Sequence, residues 1–98
     1  MNEKLKSKES DYLFDAILTL KSREECYSFF EDICTVAELK AMAQRIVVAK
    51  MLNEKYTYTD ISLKTGASAA TISRVAKSLY YGAEGYTTVL KRLGDING

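Results

Sequence analysis

Apolar residues recur along this chain at helical spacing almost from end to end, and nowhere do they alternate as in a strand. From Ser10 to about Leu20 the stripe is Leu13, Ala16, Ile17 and Leu20. Phe14 and Leu18 add a second apolar line about 100–140° round the same helix. One small domain has little use for a terminal helix with two apolar faces, whereas a second copy of the chain has. Ser22 and Glu25 form a capping box, S-x-x-E, opening a second helix with the stripe Cys26, Phe29, Phe30 and Ile33. Thr35 and Glu38 form another box and begin the longest helix, which runs to about Asn53. Its apolar residues are Leu39, Met42, Ala43, Ile46, Val47, Val48, Ala49, Met51 and Leu52. They wrap nearly the whole circumference, which predicts a central helix covered on several sides.

Two short helices follow, over about 57–80. Thr57 is the N-cap of the first, with Asp60 where a carboxylate meets free N–H groups, and Ile61 is its buried position. Gly66 ends it, because glycine enters the left-handed C′ conformation cheaply. Ser68 caps the second, whose stripe is Ile72, Val75, Ala76 and Leu79. This is a helix-turn-helix pattern. After a loop marked by Gly82 and Gly85, Tyr86 to Leu93 gives a last helix with Val89, Leu90 and Leu93 apolar. The expected fold is an all-α helical bundle: one domain over residues 10–94, between a flexible lysine-bearing tail at 1–9 and a flexible tail at 95–98. Lys4, Lys6 and Lys8 would allow the first tail to track DNA.

Charge changes this picture. The net charge of +1 divides into −3 over residues 1–33 and +4 over residues 34–98, the half holding the helix-turn-helix. The face of the second short helix opposite its stripe carries Ala70, Ser73, Arg74 and Lys77, with Thr71 at its edge, and Ala69 to Ser78 contains no acid. A surface helix without acids suits a polyanion, and small hydroxylic residues suit the floor of a DNA major groove. The DNA-binding candidates are therefore Ser68, Ala69, Ala70, Thr71, Ser73, Arg74 and Lys77, with Lys64 alongside. Catalysis is not expected: there is no histidine, no paired carboxylate and no glycine-rich phosphate loop. Cys26 and Cys34 read as small buried hydrophobes rather than a disulfide or metal ligands, so no metal is expected. Without a signal peptide or a long apolar run, the expected location is the cytoplasm, with no membrane partner.

From about Cys34 to Leu90 the chain resembles the Trp repressor superfamily, above all its branch of small TrpR-like proteins of the YerC/YecD type. The resemblance is carried by Thr35 to Glu38, by Gln44-Arg45-Ile46, and by Gly66-Ala67 through Ala70-Thr71-Ile72-Ser73-Arg74 to Ser78-Leu79. It implies an intertwined homodimer with two reading heads in successive major grooves. It also implies a pocket for an amino-acid corepressor, held by arginines matching Arg45 and Arg74, with Thr35 and Ser78 matching positions that help hold the ligand's amino group. The departures matter. A glycine beside the ligand's ring is Val75 here, which disfavours tryptophan as corepressor, and no other ligand is identified. The basic positions of the preceding helix match the uncharged Thr59 and Ser62.

Two functions follow as expectations. The first is a sequence-specific transcriptional regulator, a repressor, acting as a homodimer on double-stranded DNA. The second is a protein-interaction or assembly module on the same scaffold.

Overall fold

Helices start in this protein where a hydroxyl side chain can hold a free backbone N–H. Ser7, Ser22, Thr35, Thr57 and Ser68 each accept from the N–H three residues on, at 3.0–3.1 Å. The helices that follow them are α1 (Lys8–Ile17), α2 (Arg23–Ile33), α3 (Val36–Asn53), α4 (Tyr58–Thr65) and α5 (Ala69–Tyr81). A sixth, α6 (Gly85–Arg92), follows Glu84, which takes the left-handed conformation and makes no side-chain cap bond. The structure, a computed structural model, describes residues 2–94; among them these six helices and a 3-10 turn at Glu3–Leu5 are the regular elements. The expected flexible tail at 95–98 lies outside the described residues. Contacts divide the chain into two units, one up to Leu39 and one from Lys40, where the patterning predicts a single domain.

In the first unit the chain becomes helical earlier than the apolar stripe predicts. Ser7, not Ser10, caps α1, and the 3-10 turn within the expected tail is held by the Asn2 side chain on the Lys4 N–H, with Lys6 3.6 Å from Glu3. The helix also stops at Ile17 rather than Leu20. There the Thr19 N–H and hydroxyl both donate to the Ala16 carbonyl, and the Leu20 N–H donates to Ile17, tightening the end. Leu13, Ala16, Ile17 and Leu20 are half-buried, whereas Phe14 (57%) and Leu18 (80%) are exposed. No residue of α1 or α2 is fully buried.

On α2, Phe29 and Phe30 meet edge to face, with ring centroids 5.4 Å apart. Cys26 is exposed and Cys34 half-buried, both as free thiols, so the expectation of two buried cysteines is wrong for this chain. Tyr27 and Ile33 of α2 are exposed. The capping box at Thr35 and Glu38 is reciprocal, with the Thr35 N–H donating to Glu38 Oε1 at 2.8 Å. The Thr35 backbone and side-chain donors together hold the Glu38 carboxyl below its ordinary pKa.

The second unit holds the core. Val48, Ala49, Met51 and Leu52 of α3 pack with Ile61, Ala67, Ile72, Val75, Ala76 and Leu90, and Ile46, Leu79 and Tyr86 lie against them. The prediction of an α3 covered on several sides holds only for its end, because Met42, Ala43 and Val47 are exposed. The chain has too few elements to surround an all-round apolar helix. In α6 only Leu90 is buried, while Val89 and, just past the helix, Leu93 are exposed.

Past α3 the chain turns through Lys55, at φ +68, with Lys55 N–H donating to Leu52 and Tyr56 N–H to Met51. These are the paired bonds of a Schellman ending, whose left-handed residue is usually glycine. Lys55→Gly is therefore expected to raise stability by about 0.5–1 kcal/mol, once the left-handed strain and glycine's larger chain entropy are set against each other. Denaturant unfolding is the measurement.

Candidate nucleic-acid interface

The turn between α4 and α5 is held by polar side chains rather than by its glycine alone. Gly66 takes φ +74, and a Cβ there would meet nothing within 4 Å, so its requirement is conformational rather than steric. Around it, the Ser62 hydroxyl donates to the Ala67 carbonyl (2.9 Å), and Thr65 Oγ1 donates to Ile61 (2.7 Å) and accepts from the Ala67 N–H (3.1 Å). From α3, Gln44 Nε2 donates to the Thr65 carbonyl at 3.1 Å, satisfying an oxygen at the end of α4. Ala67 is buried beneath the turn. A turn tied on both sides keeps the start of α5 at a fixed angle, as a reading helix requires.

Gln44, Ser62 and Thr65 are the positioning residues that sequence reasoning missed. The available signal is the Gln44 amide among the apolar Met42, Ala43 and Ile46 of α3.

The face that results is open. Ile72, Val75 and Ala76 point α5 into the core, and Ser68, Ala69, Ala70, Ser73, Arg74 and Lys77 are exposed, with Thr71 half-buried. Thr71 supplies its N–H to Ser68 Oγ, and its own Oγ1 accepts from the Ser68 hydroxyl, so these two serve the cap. Lys64 is exposed with its Nζ 4.6 Å from the centre of the Tyr56 ring, a cation–π contact that holds the ammonium in place. From Ile61 to Ala83 the chain has Lys64, Arg74 and Lys77 and no acid. Among the described residues none of the three makes an ion pair, which leaves their charge available to an anion.

The residues expected to hold a small ligand fare differently. Thr35 caps α3. Arg45, Arg74 and Ser78 are exposed, and neither arginine makes an ion pair with a described carboxylate. Val75 is 2% exposed and belongs to the core. An open groove of about 290 Å³ lies instead between α4 and α5, lined by Tyr58, Thr59, Ser62, Leu63, Ala69 and Ile72. Among the described residues no group of histidines, cysteines and carboxylates could hold a metal ion, and no helix is long and apolar enough to cross a membrane.

The family model for the Trp repressor protein matches residues 8–94. The uncharacterized protein YerC of Bacillus subtilis (strain 168) is 53% identical over 91 residues, which are 93% of this chain and 88% of that one. The crystal structure of a TrpR-like protein from Eubacterium eligens ATCC 27750 matches with a TM-score of 0.93 at 55% identity, covering 99% of this chain and 100% of that one. A candidate Trp repressor from Staphylococcus aureus matches with a TM-score of 0.92 at 52% identity, covering 98% of this chain and 96% of that one. With its six helices, its tied helix-turn-helix and a family match over nearly all the described residues, the chain belongs to the Trp repressor family.

Proposed function

We propose that this protein is a sequence-specific DNA-binding transcriptional regulator, a repressor, that acts in the cytoplasm as a homodimer on a palindromic operator. The family consists of regulators rather than enzymes, and DNA binding is the role the family suggests. The observation that carries the reading is the acid-free exposed face of α5, with Arg74 and Lys77 unpaired, presented by a turn that Gln44 and Ser62 hold rigid. Arg74 and Lys77 contact or flank phosphates, while Ala69, Ala70 and Ser73 face base edges through small contacts or water. Dimerisation is supported by the first unit, where two amphipathic helices have no fully buried residue. Helices of 10 and 11 residues are marginal in water without an apolar partner surface.

The test is the salt dependence of binding to duplexes selected from a random pool. Lys77→Ala is expected to weaken binding to all sequences alike and to reduce the magnitude of the salt slope by roughly one unit. Unchanged affinity and slope would remove α5 from the interface. The second reading, a protein-docking module, is favoured by one observation, the uncharged Thr59 and Ser62 on the groove between α4 and α5. Docking through an apolar groove predicts binding that salt hardly changes.

A further inference from the structure

Leu63 is 79% exposed on α4, a helix whose one buried residue is Ile61. It does not stand alone. With Tyr58, Thr59, Ser62, Ala69 and Ile72 it lines the groove between α4 and the start of α5. Four of the groove's six lining residues, Ser62, Leu63, Ala69 and Ile72, lie between Ile61 and Ala83, a stretch with three cations and no acid. The exposed Asp60 follows Thr59 on the α4 side. A largely apolar surface whose neighbouring charge is positive on balance, three cations against Asp60, fits an apolar feature carried by a polyanion.

Major-groove readers distinguish bases chiefly by bidentate hydrogen bonds, from Arg or Lys to guanine, Asn or Gln to adenine, and Asp or Glu to cytosine. Ala69 to Ser73 of α5 include none of these residue types. Of the hydroxyls here, those of Ser68 and Thr71 serve the cap, and Ser73 can make one single hydrogen bond at a time to a base edge. What the start of α5 and the adjoining groove mainly offer is therefore apolar contact. The apolar group displayed in the major groove is the C5-methyl of thymine. Resting on the DNA-binding reading above, we infer that this protein recognises its operator through thymine methyl groups, with Leu63 of α4 and Ala69 and Ala70 of α5 as the contacting residues. Leu63 is then a specificity-determining residue on the helix that precedes the reading helix, where the side chain has no role in the core. Arg74, Lys77 and Lys64 supply the sequence-independent attraction.

The experiment uses duplexes enriched from a random pool by the purified protein, resynthesised with deoxyuridine replacing one thymidine at a time. This removes the methyl and leaves every hydrogen-bonding group of the base in place. At one or more thymines of each half-site, affinity is expected to fall about fourfold, the worth of one buried methyl group. Leu63→Ala, a change on an exposed position, is expected to abolish that penalty at the thymine it faces and to leave the salt slope unchanged. Enriched duplexes that bind equally well with uracil at every position would overturn the inference while leaving DNA binding intact. A penalty fully retained in Leu63→Ala would remove Leu63 from the readout. Failure to enrich any duplex would overturn DNA binding itself, and the inference with it; that is the outcome expected if the groove takes a protein.

Discussion

Leu18→Asp is expected to dissociate and unfold a protein that otherwise sediments as a folded dimer at micromolar concentration. In the single chain Leu18 is 80% exposed, and Phe14 beside it 57%. If the chain were a monomer, a charge at so exposed a position would change stability by no more than about 0.5 kcal/mol. In the proposed dimer the same carboxylate is buried without a partner, which costs several kcal/mol against a total stability of about 5–15 kcal/mol. The two cases therefore differ by most of the protein's margin. Two further observations point the same way. No residue of α1 or α2 is fully buried, and Met42 and Val47 of α3 are exposed. Sedimentation equilibrium combined with unfolding at several concentrations is the measurement, since a dimer's midpoint rises with concentration. A wild-type protein that is folded and monomeric at micromolar concentration would contradict the dimer.

L-tryptophan is expected not to bind in the micromolar range. The resemblance places a glycine where the ring of a corepressor lies against the reading helix, and this chain has Val75 there. Val75 is 2% exposed, in the core with Ile72, Ala76 and Leu90. Its branched side chain is stiff at χ1, so it cannot swing out of the way. Placing an indole in that volume means overpacking, at about 1–3 kcal/mol, or roughly ten- to a hundredfold in affinity. Calorimetry on the purified protein is the direct measurement, and micromolar binding that also tightens DNA affinity would contradict it. Val75→Gly is the variant most suited to gain binding. Deleting a buried valine side chain within a helix is expected to lower stability by about 2–4 kcal/mol, so its folding needs checking first by circular dichroism. If no corepressor binds, the head is expected to take DNA without added ligand, which binding by the purified protein alone would check.

What the sequence by itself determined is everything decided within one turn of chain. The hydroxyl caps at Ser22, Thr35, Thr57 and Ser68 stand where the spacing predicts them, and Gly66 takes the left-handed conformation. These depend on a side chain and a backbone N–H three residues apart, so no distant residue can overrule them. Ser7 shows the limit of the same logic. It meets the rule as well as Ser10 does, but it lies outside the apolar stripe, so the stripe placed the start of α1 too late.

Only the tertiary structure decided which apolar residues find cover. Cys26, Met42, Val47, Val89 and Leu93 have the same helical spacing as Val48, Ile72 and Leu90, yet the first group is exposed and the second buried. Periodicity states which face of a helix is apolar, whereas burial also needs a second surface to lie on that face. The candidate interface divides the same way. The acid-free face of α5 was legible, because charge and period are written along one helix. The bond from Gln44 to the Thr65 carbonyl, 21 residues on, was not, nor was the groove that joins Leu63 to Ala69. Both arise where separate helices meet, and the meeting of helix ends is set by the packing of the core they share.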